Sequence, residues 1–184
     1  MPDTTGPAQP RARPRTQPRA LLLTGVPGCG KTSVAVEIGS QLEAIQQTYA
    51  VIDLDWLAWF DSGEAQPPEL VHSMLLRNLA SVLGNYAELA VHHYVLTRAL
   101  RTRAELDSVT ATIGMPVTSV ELVVAHAVLD HRLGSAVTTE RADDVQAARE
   151  WLADPDRPHA DFTVANEGAV AATAAAVIQR LGWA

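Results

Sequence analysis

Lysine is nearly absent from this chain. Among 184 residues there is one, Lys31, and the other thirteen basic side chains, histidine apart, are arginine. Cysteine is equally scarce, with Cys29 alone. One thiol cannot close an internal disulfide, and zinc sites built on several cysteines are excluded. Long apolar runs are missing too. The earliest, Ala20–Thr24, is too short for a signal-peptide core or a membrane span, so a cytoplasmic location and no membrane partner are expected. Positive charge is in deficit, with a formal net charge of −7. Arg11, Arg13, Arg15 and Arg19 sit in the first nineteen residues against Asp3 alone, which leaves ten basic and twenty acidic side chains for the rest. Such a body is a poor nucleic-acid surface, because phosphate binding needs positive charge. Any anion must be held by a local pocket.

What is present fits a single globular domain with a real core, since 47% of the residues are hydrophobic. Met1–Pro18 is rich in Pro, Arg and Thr without apolar periodicity and reads as a disordered tail; 19–184 is the domain. Within it, short apolar runs alternate with helical patterns. Strands are expected at Ala20–Thr24, Tyr49–Leu54, Leu89–Leu96, Val117–Val124 and Asp161–Ala165. Helices are expected at Lys31–Thr48, Trp56–Phe60, Glu69–Leu83 with a stop at Gly84-Asn85, Arg103–Ile113, after Val124 through about Arg132, Arg141–Leu152 and Ala169–Leu181. Gly134–Thr139 reads as a mobile connection. This order argues an α/β fold, a parallel sheet covered by helices on both faces, with ligands gathered beyond the carboxyl ends of the strands.

The lone lysine stands inside Gly25-Val26-Pro27-Gly28-Cys29-Gly30-Lys31-Thr32, the pattern G-x-x-x-x-G-K-[ST] of a P-loop. A strand precedes it and a helix follows, as the motif requires. Its backbone N–H groups wrap a triphosphate, Lys31 reaches the β- and γ-phosphates, and the Thr32 hydroxyl joins Mg²⁺. The nucleotide site therefore spans Gly25 to Ser33. An arginine fork would serve poorly where a slim ammonium is needed. Cys29 occupies a variable position of the pattern and reads as a filler.

Asp53 and Asp55 close the second strand. Residues two apart on a strand share a side, so both carboxylates are expected to project together. One can bind Mg²⁺ through water and the other can take a proton from an attacking hydroxyl. Alternatively, Asp55 caps the helix that follows.

The P-loop followed by Val51-Ile52-Asp53-Leu54-Asp55 resembles the nucleoside and nucleotide kinase group of P-loop proteins, with shikimate kinase, adenylylsulfate kinase and chloramphenicol phosphotransferase as the nearest types. The similarity in element order covers about 19–183. It implies a three-layer α/β/α sandwich on a five-stranded parallel sheet, ATP rather than GTP as the nucleotide, an acceptor-binding helical region after the second strand and a lid after the fourth. The family's lids carry several arginines in close succession, whereas this chain offers Arg132 and Arg141. The resemblance places Asn166 at the adenine-contacting turn.

Several residues remain open between a functional and a structural role. Arg132 and Arg141 either close on the transferring phosphoryl group or are solvated helix arginines. Trp56 and Trp59, with Phe60, either form a wall for a ringed acceptor or staple a helix to the core. Arg98 either binds an anionic acceptor or is a solvated loop charge. The histidines make no metal site: His92 and His93 face opposite sides of a strand, and His126 and His131 miss the helical zinc spacing. The expected function is ATP- and Mg²⁺-dependent phosphoryl transfer to a small-molecule acceptor. In it Thr32 and Asp53 serve the metal, and Lys31, Asp55, Arg132 and Arg141 serve the reaction. The alternative is a non-catalytic ATP-binding regulatory or scaffold protein.

Overall fold

The computed structural model describes residues 17–134, 140–154 and 157–183, with the side chains of all of these except 130, 133, 134 and 140–145. The tail expected over Met1–Pro18 lies outside them apart from Gln17 and Pro18, as does the connection expected after Gly134. The elements run β1 (Arg19–Thr24), α1 (Lys31–Ala44), β2 (Tyr49–Asp53), a 3₁₀ turn (Leu54–Ala58), α2 (Pro68–Glu88), β3 (His93–Thr97), α3 (Arg103–Ile113), β4 (Val117–Val123), α4 (His126–Gly134), α5 (Glu140–Ala153), β5 (Phe162–Ala165) and α6 (Val170–Leu181).

The five strands form one parallel sheet in the order β2-β3-β1-β4-β5. Alternation along β1 divides the core in two, because successive side chains point to opposite faces. Leu21 and Leu23 pack with Val34, Ile38 and Leu42 of α1 and Val177 and Ile178 of α6. Ala20 and Leu22 pack with Leu75, Leu79 and Leu83 of α2 and Val109 and Ile113 of α3. This is the expected three-layer sandwich. β1 is its middle strand, so the loop that leaves its carboxyl end sits at the centre of the sheet's edge.

The ends of two helices differ from the sequence pattern, and one strand start moves with them. α2 runs through Gly84 to Glu88, because an isolated glycine costs a helix only about 1 kcal/mol. The core contacts of Leu83 before it and Tyr86 after it offset that. The helix unwinds where Ala90 takes a left-handed φ of 55°, so β3 begins at His93 rather than Leu89. α1 likewise stops at Ala44, before the expected Thr48. Gln46 turns left-handed at φ 57°, and Gln47 N–H donates back to Leu42 O at 2.9 Å.

His93 is 2% exposed at the start of β3. Its Nδ1 lies 3.2 Å from Thr48 O and must donate there, since a carbonyl only accepts. The ring meets Trp183 edge-on at 4.9 Å. Burial pushes the imidazole pKa below its ordinary 6.5; the Thr48 carbonyl opposes this, and Arg19 and His92 add to it. The unfolded chain therefore takes up a proton that the folded chain refuses. The stability is fully present above the ordinary histidine range and declines as pH falls through it. The melting temperature should drop between about pH 7.5 and about pH 5.5, and the drop should be smaller in His93→Phe, which keeps the ring contact; equal slopes in the two proteins would contradict this assignment.

Candidate active site

The site is built on the turn between β1 and α1. Gly25 has φ 131° and Gly30 has φ 98°, values that side chains with a Cβ rarely adopt. A Cβ on Gly25 would also sit 2.6 Å from the Leu122 carbonyl oxygen of β4, and one on Gly30 would sit 2.5 Å from Asn166 Nδ2. The loop can thus lie flat between β4 and the turn after β5 only as glycine. α1 starts on Gly30 with no side-chain cap and no carboxylate in its first turn. Its first amide N–H groups and its positive dipole end remain available to an anion.

Lys31 Nζ donates to Gly25 O at 3.0 Å and to Val26 O at 3.2 Å, so the ammonium lies across the loop. Thr32 Oγ1 donates to Asp53 Oδ2 at 2.9 Å. Asp53 Oδ1 accepts the Asp55 N–H at 3.1 Å, which makes Asp53 the cap of the 3₁₀ turn. The capping role considered for Asp55 belongs to Asp53. Strand alternation is also not what joins the two carboxylates. β2 ends at Asp53, and the 3₁₀ turn carries Asp55 to the same cavity.

A cavity of about 700 Å³ opens at this edge. It is lined by Pro27, Gly28, Gly30, Lys31, Thr32 and Ser33 of the loop and helix start, by Asp53 and Asp55, and by Arg132 and Asn166. All ten were singled out from the sequence. Ala99, His131 and Val170 complete the lining. His131 read as structural, and nothing in the residue pattern marks Ala99 or Val170. Gly25, Val26 and Cys29 are buried in the loop. Burial pushes the Cys29 thiol pKa up, against the pull of Lys31, so the thiol stays protonated and packs as a filler.

Arg132 and Asn166 brace the loop from behind. Arg132 Nη1 donates to Cys29 O at 3.2 Å and Nη2 to Asn166 O at 2.9 Å. Asn166, 1% exposed, donates Nδ2 to Cys29 O at 2.8 Å, and its Oδ1 accepts from Thr173 Oγ1 at 2.9 Å. The side chain of Arg141 lies outside the described residues.

Three residues expected at the acceptor do not line the cavity. Arg98 Nη1 donates to Asp55 Oδ1 at 2.9 Å while its Nε donates to Glu105 Oε1 at 2.9 Å. Trp56 and Trp59 stack on each other with centroids 4.7 Å apart and planes 19° apart. The sequence reading missed Glu105. Its only signal was a helix-start pattern, Thr102 followed three residues later by Glu105, and Thr102 does cap α3 through Glu105 N–H. The Asp55 pKa is raised by withdrawal from bulk water; Arg98 opposes the rise and Asp53 reinforces it.

The donors fit a magnesium ion. Thr32 Oγ1 and Asp53 Oδ2 are hard oxygen ligands already side by side, the kind Mg²⁺ takes while keeping several waters. Beside them, Thr97 pairs with Asp53 in the sheet register. Its Oγ1 is buried with no hydrogen-bond partner among the described residues, and Thr97 does not line the cavity. Among those residues no cluster of three His, Cys, Asp or Glu could hold a metal by itself, and no helix is long and apolar enough to cross a membrane.

No family model matches the sequence, and no curated protein matches it. Solved structures do. A sugar kinase from Janibacter sp. HTCC2649 superposes with a TM-score of 0.64 at 18% identity, over 90% of this chain and 95% of that one. The APS kinase of Mycobacterium tuberculosis, solved with AMPPNP and APS, gives 0.60 at 18% identity over 90% and 98%. The shikimate kinase of Bacteroides thetaiotaomicron gives 0.59 at 16% identity over 89% and 98%. The fold is that of the P-loop kinases.

Replacing Asn166 by Ala would strand the buried Thr173 hydroxyl and remove one of the two side-chain donors to Cys29 O. The expected loss is about 2 kcal/mol of unfolding free energy, the usual penalty for a buried polar group left unsatisfied. Urea denaturation measures it, and an unchanged midpoint would show that the brace contributes nothing.

Proposed function

We propose that this chain of P-loop kinase fold transfers the γ-phosphoryl group of ATP to a hydroxyl of a small-molecule acceptor, with magnesium. The observation that carries the reading is the Thr32–Asp53 contact at 2.9 Å, with Asp55 beside it on the same cavity as the loop. A nucleotide-binding switch would need the loop and the metal ligands. It would not need a second carboxylate beyond them.

The loop amides and Lys31 bind the β- and γ-phosphates. Thr32 and Asp53 would hold the metal, which would neutralise charge on the phosphate oxygens. Asp55 accepts the proton of the acceptor hydroxyl as its oxygen bonds to the γ-phosphorus. The bond from that phosphorus to the β–γ bridging oxygen breaks, and its electron pair leaves on ADP. Arg98 keeps Asp55 oriented through the contact at 2.9 Å. Arg132 stands at the loop and Arg141 comes from α5; both are cations for the charge that spreads over the transferring oxygens. Most of the rate would come from positioning, because a loose transition state asks little covalent help of the protein. The cytoplasm supplies both ATP and magnesium and suits this chemistry.

In a thermal melt, Mg-ATP should raise the melting temperature of the native chain, and Lys31→Ala should abolish the rise, since a ligand specific to the folded state stabilises it. With an acceptor in hand, Asp55→Asn should lower kcat by about 10²- to 10⁴-fold, the span of general-base catalysis, while leaving the nucleotide-induced shift in place. Full turnover in Asp55→Asn would remove the base role; a shift that survives Lys31→Ala would remove the nucleotide site.

A further inference from the structure

The acceptor side of the cavity has its own charge and shape. Arg98 is the arginine placed to meet an anionic acceptor, and its guanidinium is directed at the protein instead. Nη1 holds Asp55 and Nε holds Glu105, each at 2.9 Å. Glu105 is itself fixed by the Arg101 backbone N–H at 2.9 Å on its other oxygen. One cation shared by two carboxylates leaves this wall net negative, and Asp53 adds to that. The cations that line the cavity, Lys31 and Arg132, sit against the loop carbonyls of Gly25, Val26 and Cys29, on the nucleotide side.

Immediately after Asp55 the chain exposes two indoles. Trp56 is 66% and Trp59 is 60% exposed, and they stack face to face. They are not staples for the 3₁₀ turn. Leu54 is fully buried, Leu57 and Ala58 pack against the α2 side of the core, and Asn78 Nδ2 ties Leu57 O to α2 at 2.7 Å. The turn is thus anchored by other residues, and Trp56 within it and Trp59 at its end are left largely in water as a stacked pair, each with one outer face open. Large exposed aromatics beside a cavity mark binding surfaces.

We infer that the acceptor is an uncharged or cationic hydroxyl compound bearing a flat apolar ring, which stacks on an outer face of the Trp56–Trp59 pair, and that anionic acceptors are disfavoured by Asp55 and Glu105. This rests on the phosphotransferase reading and narrows its substrate class. An anion near Asp55 would meet a guanidinium whose charge two carboxylates already offset, whereas a neutral or cationic ring meets no net repulsion there.

The test uses the full chain saturated with magnesium and AMPPNP, and three probes that share one hydroxyphenyl ring and differ in charge: tyramine, a cation; tyrosol, neutral; and 4-hydroxyphenylacetate, an anion. Binding is followed by tryptophan fluorescence. Tyramine and tyrosol should bind on the order of tenfold or more tighter than the carboxylate. Their binding should be lost in the double variant Trp56→Ala/Trp59→Ala, whose melting temperature should still rise with AMPPNP because both indoles lie outside the nucleotide site. Equal or tighter binding of the carboxylate, binding of none of the three, or binding that survives loss of both indoles would overturn the inference and leave the kinase reading standing. A native chain that AMPPNP does not stabilise would overturn both.

Discussion

The hydrogen bond from Thr32 to Asp53 is the contact on which the site turns. β1 and β2 are not neighbours in this sheet; β3 lies between them. The P-loop and the acidic strand end would therefore remain a strand's width apart if only the sheet related them. α1 closes the gap. It leaves the loop over the sheet edge, and its second residue reaches across to β2. The same Asp53 uses its other oxygen to start the 3₁₀ turn through Asp55 N–H, so one carboxylate holds the Thr32 hydroxyl and sets the direction of the chain that carries the next carboxylate; on the proposed reading it would set the metal position too. Loss of Asp53 would act on the metal and on Asp55 together, and its effect cannot be divided into separate residue contributions.

The loop is held as firmly from the other side. Its Cys29 carbonyl accepts from both Arg132 and Asn166, and Asn166 is in turn held by Thr173 of α6. These groups come from α4, from the turn after β5 and from α6. The loop is thus fixed by elements distant in sequence. Preorganised donors need no reorganisation when charge develops. Arg132 is accordingly a brace of the loop as well as a cation on the cavity; the sequence reading had weighed only closure on the phosphoryl group against a solvated helix arginine, and the bracing role was not foreseen.

What could be read from the sequence follows how local each feature is. The P-loop is a contiguous pattern whose glycine geometry is nearly self-determined, and it was legible residue by residue. The five strands were legible because a buried parallel strand is a short apolar run. Asp53 and Asp55 were legible as a pair, yet the stated cause was wrong: a cap and a 3₁₀ turn, not strand alternation, bring them together. Gly84 misled because a local propensity of about 1 kcal/mol was set against core contacts that a linear pattern does not display. Glu105 and the division of Arg98 between two carboxylates were out of reach, because Asp55 and Glu105 are fifty residues apart and only the folded edge makes them share a cation. Asn166 was placed by resemblance, and its buried network with Cys29 and Thr173 had no signature of its own.

These contacts give the cavity two unlike walls. On the loop side, amide N–H groups, the start of α1, Lys31 and Arg132 supply positive potential. On the other side stand Asp53 and Asp55, and Arg98, outside the lining, divides its charge between Asp55 and Glu105. A triphosphate lying across such a cavity is drawn in by its anionic tail and repelled by what lies beyond it. A charged acceptor of the same sign as the phosphate would meet that repulsion twice, once from the wall and once from the γ-phosphate. A weakly charged or cationic hydroxyl meets neither, and its proton has a carboxylate waiting. The asymmetry needs only that Arg98 stay divided, and the 2.9 Å contacts to Asp55 and Glu105 hold it there. On the proposed reading, the acceptor's charge would be constrained by a residue that lies outside the cavity and whose identity alone had suggested the opposite preference.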